Sequence, residues 1–116
     1  MKLSEAEFDV LTNALANHLA KLSRERKATT RPTRLQYVNA AYEVGEQAMD
    51  WLYANGGHRS EYAYPSDKPQ LVTAVVLAVN EYASKYANAF SPERVSDVNV
   101  VNVIRSAQSK IREFHG

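Results

Sequence analysis

The sequence predicts an all-α fold, a compact antiparallel bundle of about four helices forming a single domain over residues 1–116. Apolar residues recur at helical spacing through most of the chain, and capping signals or helix breakers separate those runs. With 45% apolar and 23% charged residues among 116, the chain has the make-up of an ordinary globular domain with one modest core. A competing α+β reading pairs 70–79 and 98–104 as strands, because valine-rich runs fit either state.

The first helix is read over residues 5–25. Ser4 and Glu7 match the S-x-x-E capping box, Leu3 and Phe8 sit where a hydrophobic staple would, and Phe8, Leu11, Leu15, Leu19 and Leu22 form the apolar stripe. That stripe spans an arc of about 80°, narrow enough for one partner surface to cover. Ala28-Thr29-Thr30-Arg31-Pro32 then interrupts the helix, since Pro32 disfavours α geometry at Arg31, and this stretch is expected to be the main inter-helix loop.

A second capping box, Thr33 with Gln36, opens the second helix, which stops at Asn55-Gly56-Gly57. Its apolar face, from Leu35 through Leu52 with Tyr37, Val44 and Trp51, spans about 200°, so it is expected to lie centrally and touch two or more helices. Ala41, Gly45 and Ala48 make a small-residue seam suited to close approach of another backbone. Residues 56–69 read as a loop, and Ser66 or Asp67 is expected to cap the third helix. That helix carries Leu71, Val72, Val75, Val76, Ala78, Val79, Tyr82, Ala83 and Tyr86 on one broad face and leaves Leu77 on the opposite side, where with Ala74 it could seed a homo-oligomer contact. The fourth helix is placed over 92–114, opened by Ser91-Pro92-Glu93 and broken near Asp97.

Several function classes fall away on composition. The chain has no cysteine, which removes disulfides, thiolate metal sites and a cysteine nucleophile. Its three histidines lack metal-ligand spacing, no G-x-S-x-G motif is present, and four glycines form no phosphate cradle. No cofactor and no metal are therefore expected. His18 reads as a partly buried, hydrogen-bonded side chain and His115 as part of a frayed tail. The start, Met1-Lys2-Leu3-Ser4-Glu5, is unlike a signal peptide, and the longest apolar run, Ala74 to Val79, is too short for a bilayer span. The expectation is a cytoplasmic protein with no membrane partner.

The formal charge is +1, yet residues 21–34 hold six cations against Glu25, a local +5 that leaves −4 for the rest. Arg24, Arg26, Lys27, Arg31 and Arg34 in this stretch are the leading candidates for contact with a partner. Lys21, Arg24 and Arg26 also complement the C-terminal dipole of the first helix, a purely structural role. Arg59, Tyr62 and Tyr64 make a second candidate tip in the 56–69 loop, because Tyr and Arg bury rigid area while keeping a polar handle. The same tyrosines could instead fold over the bundle end as a lid.

The leading expectation is a small non-enzymatic interaction protein that docks on a macromolecule, a protein or ribonucleoprotein rather than bare nucleic acid. Compact chains of this composition occur among accessory and inhibitor proteins of phage or mobile-element type, a compositional analogy with no motif behind it. An alternative binds DNA or RNA directly with the same cations, although the connection after the first helix reads as longer than a helix-turn-helix turn. A further alternative rests on Glu43, Glu46 and Asp50, whose spacing resembles the Mg²⁺-holding carboxylates of all-α nucleotide hydrolases of the MazG type. The resemblance implies further acids on the next helix, and the third helix offers Glu81 alone.

Overall fold

The computed structural model describes residues 1–55, 59–87 and 95–116. Its elements in chain order are α1 (Glu5–Ala28), α2 (Pro32–Ala54), α3 (Gln70–Tyr82), a π-helical turn (Ala83–Ala87) and α4 (Val95–His115). The chain is a bundle of four helices with no strand among the described residues, so the α+β reading of 70–79 and 98–104 is overturned. Helical spacing, not β-branching, decides both stretches, because the valine face of α3 and the Ile104, Ala107 and Ile111 face of α4 each bury against neighbouring helices.

Helix α1 starts as the sequence dictates. Ser4 Oγ accepts from the Glu7 N–H at 3.1 Å, and Glu7 Oε1 accepts from the Ser4 N–H at 2.7 Å. It runs three residues past the expected end, because Arg26, Lys27 and Ala28 are good helix formers and the break waits for the β-branched Thr29. The inter-helix loop thereby shrinks to residues 29–31. This corrects the longer connection on which a helix-turn-helix was set aside. What excludes that motif instead is geometry. Phe8 meets Tyr53, Leu19 meets Gly45 and Glu25 meets Arg34, so α1 and α2 form an antiparallel hairpin along their full length.

Two expected caps are absent. Pro32 occupies the first position of α2 with Arg31 before it, and no Thr33–Gln36 box forms. Neither Ser66 nor Asp67 caps α3. Both lie in the turn before it, and Pro69 takes the cap position without a side-chain bond. At the far end of α2, Asn55 donates from Nδ2 to the Trp51 carbonyl at 2.7 Å, while Gly56 and Gly57 lie outside the described residues. Helix α4 passes through Asp97 unbroken, and Ser91, Pro92 and Glu93 lie outside the described residues.

The centre of the bundle is also relocated. Helices α1 and α3 each pack against all the other helices, while α2 packs on α1 and α3. Helix α1 is thus central despite its narrow leucine stripe, because Ala14 and Thr12 extend its buried surface beyond Leu11, Leu15 and Leu22. The broad face of α2 is only partly covered, and Tyr37 and Tyr53 remain 60% and 61% exposed. The core gathers Leu3, Leu11, Leu15, Leu52, Val72, Val75, Val79 and Ile111. Gly45 is buried in the α1–α2 seam, where a Cβ would lie 2.7 Å from Leu19 Cδ2, so a side chain rather than a backbone makes the close approach.

Candidate docking site at the hairpin tip

The connector places the cations at one end of the α1–α2 hairpin, and their surroundings sort them into three groups. Arg34 and Lys21 are engaged by the protein's own acids. Arg34 donates from Nε to Glu25 Oε1 at 2.9 Å, with its Nη2 on the same oxygen, and Lys21 Nζ lies 3.4 Å from Glu81 Oε1. Arg26 and Arg34 cover tyrosine rings, with guanidinium carbons 4.4 Å from the Tyr42 centroid and 5.0 Å from that of Tyr37. Arg24, Lys27 and Arg31 are exposed and hold no ion pair among the described residues.

This tip has a built electrostatic bias. The last turn of α1 carries Arg26 and Lys27, which balance its own negative end. The first turn of α2 has no acidic residue and no side-chain cap, so its free N–H groups add partial positive charge beside Arg31. The exposed ring of Tyr37 stands next to Arg34, held by the i, i+3 spacing on α2. The tip therefore offers preorganised arginine–tyrosine surface and net positive potential.

The second candidate tip is not assembled. Tyr62 is only 2% exposed and donates its hydroxyl to the Leu52 carbonyl at 2.5 Å. The Met1 amino group donates to the Tyr62 carbonyl at 2.9 Å, the Tyr62 N–H returns to the Met1 carbonyl at 2.7 Å, and the backbones of Lys2 and Glu61 form an isolated antiparallel β-bridge. Tyr62 therefore closes the core as a lid and cannot meet a partner. Its ring packs edge-on to Trp51, whose indole stacks on Phe114, and Tyr64 leans on Phe114 at 5.4 Å. Buried apolar area holds Tyr62 in place, while Tyr64 stays 39% exposed at the edge of this cluster. Arg59 is exposed, but this loop follows α2 and sits about 35 Å from the tip, the length of a 23-residue helix. Arg59, Tyr62 and Tyr64 are thus separated from Arg24, Arg26, Lys27, Arg31 and Arg34.

Other sequence candidates resolve as follows. His18 is tucked against α3 with Nδ1 3.2 Å from Glu81 Oε2, in line with its reading as a hydrogen-bonded residue. His115 is not frayed. It closes the last turn of α4 with Nε2 3.1 Å from Thr73 Oγ1. Glu43, Glu46 and Asp50 are exposed on α2, and among the described residues no three His, Asp or Glu side chains converge on a point that could hold a metal ion. Leu77 is 51% exposed and lines a shallow apolar groove between α2 and α3 together with Tyr37, Ala41, Val44 and Ala74. No described helix is long and apolar enough to cross a membrane.

Two features were missed from sequence. Tyr42 beneath Arg26 is an inter-helix contact with no local signal. Tyr37 beside Arg34 was legible as an i, i+3 pair but was absorbed into the apolar face of α2. No protein-family model, curated protein or solved structure matches this chain.

Proposed function

We propose that this chain is a non-enzymatic helical interaction protein that docks through the tip of the α1–α2 hairpin on an acidic face of a protein or ribonucleoprotein partner. It acts by occlusion or assembly rather than bond chemistry. The observation that carries the reading is the pairing of arginines with tyrosines at the tip, Arg26 on Tyr42 and Arg34 on Tyr37, beside the exposed Lys27 and Arg31, which hold no ion pair among the described residues. Such pairs enter an interface with their side chains already ordered, which reduces the entropy lost on association. The three-residue connector between two long helices keeps the group close together. A cytoplasmic setting belongs to the same proposal, supported by the absence of cysteine.

Direct nucleic-acid binding is the second reading, supported by Arg24, Lys27 and Arg31, which hold no ion pair among the described residues. Three phosphate contacts give a log–log salt slope of only about −3, far from that of a dedicated DNA binder. A protein partner uses the same charges and the tyrosine rings as well. Affinity capture from the native host compares the intact chain with an Arg26→Ala, Lys27→Ala, Arg31→Ala variant. The proposal expects a protein retained by the former, lost with the latter and resistant to nuclease. Equal retention by both removes the tip from the account, and release by nuclease transfers it to the nucleic-acid reading.

A further inference from the structure

We propose that the cleft between α1 and the C-terminal end of α3 is a binding site for one nucleotide unit, a flat ring carrying a phosphate, as a free nucleotide or within a single strand. The cleft encloses about 180 Å³, and buried Ala14 and Ala78 are among its lining residues. Its charged walls among the described residues are Lys21 and Arg24 from α1 and Lys85 from the π-helical turn, with Glu81 as the opposing carboxylate. Among the described residues that is three cations against one carboxylate. Glu81 is already held by His18 Nδ1 at 3.2 Å and by Lys21 at 3.4 Å, so its charge is spent within the protein. Arg24 and Lys85 hold no ion pair among the described residues and remain to meet an anion.

The ring component comes from the opposite wall. Tyr82 and Tyr86 line the cleft with centroids 4.7 Å apart, and the Lys85 ammonium lies 5.2 Å from the Tyr86 ring. Tyrosine faces interleaved with cations are what bases and phosphates together require, since every base offers a π-face whatever its sequence. Lys85 and Tyr86 both belong to the π-helical turn, a distortion that recurs at functional sites. At about 180 Å³ the cleft lies below the roughly 300–1,000 Å³ of drug-sized sites, which suits one ring and its phosphate better than a dinucleotide.

This site adjoins the proposed tip and shares Arg24 with its exposed cations, but it uses none of Arg26, Lys27, Arg31 and Arg34. Calorimetric titration with adenosine 5′-monophosphate, adenosine, inorganic phosphate and an adenylate decamer tests it. The monophosphate is expected to bind about tenfold tighter than adenosine or phosphate alone, and Tyr86→Leu to weaken it about tenfold. Arg24→Ala with Lys85→Ala is expected to weaken it similarly and to flatten its salt dependence, whereas Lys27→Ala with Arg31→Ala leaves it unchanged. A decamer much tighter than the monophosphate identifies a strand as the source, and equal affinities identify a free nucleotide. Because Tyr86 is half-buried, resonance shifts at Ala78, Tyr82 and Tyr86 of the unmutated chain supply the check if the variant unfolds. The proposal fails if no probe binds better than phosphate, if Tyr86→Leu changes nothing in a folded protein, or if the shifts map elsewhere.

Discussion

Acid sensitivity should be dominated by one buried carboxylate. Glu7 is almost fully enclosed, and burial alone would push its carboxyl up. The Lys110 ammonium at 2.7 Å, the Ser106 hydroxyl at 2.5 Å and the Ser4 cap overcome that, bringing Glu7 from 4.5 down to about 2. A group depressed in the folded state adds stability that is complete above its unfolded value and is lost as pH falls toward its folded value. At 1.36 kcal/mol per pH unit, the drop is worth about 3 kcal/mol. Lys110 is 41% exposed, so water screens its share and about 2 kcal/mol is the expected contribution. Urea unfolding of the wild-type chain and Glu7→Gln, from pH 7 down to pH 2.5, checks this. The two stabilities should converge by about 2 kcal/mol below pH 4.5, since other carboxylates titrate equally in both proteins. A constant gap between the curves across that range would refute the reasoning.

Further outcomes follow from single contacts. Tyr62→Phe should cost about 1–2 kcal/mol in urea unfolding, because the buried Leu52 carbonyl loses its donor, while partner capture at the tip stays intact. Gly45→Ala should leave stability within about 0.5 kcal/mol, helix propensity offsetting a shift of the flexible Leu19 end, whereas Gly45→Leu should cost about 1–3 kcal/mol by separating α1 from α2. Lys27→Ala with Arg31→Ala should leave the melting temperature nearly unchanged, since both side chains are exposed and hold no ion pair among the described residues.

Local chemistry was readable where it is self-contained. The Ser4–Glu7 box, the leucine stripe of α1, the valine face of α3 and the exposed Leu77 all follow from spacing within one helix, because a helix puts residues three and four apart on the same side. The caps expected at Thr33 and at Ser66 or Asp67 failed for a related reason. A neighbouring proline instead sets where each helix starts: Pro32 in the first turn of α2 leaves Thr33 inside the helix, and Pro69 at the cap of α3 leaves Ser66 and Asp67 in the preceding turn.

Sequence by itself determined the helical class, the apolar faces and the concentration of positive charge in residues 21–34, since these depend only on residue type and short-range periodicity. The tertiary structure decided which helix is central, that Tyr62 seals the core, and that Glu7 binds Ser106 and Lys110 a hundred positions away. It also divided the cations between those held by Glu25 and Glu81 and those left facing solvent. Long-range pairing depends on how helices pack, and packing responds to the summed fit of many side chains that no single stretch of sequence contains.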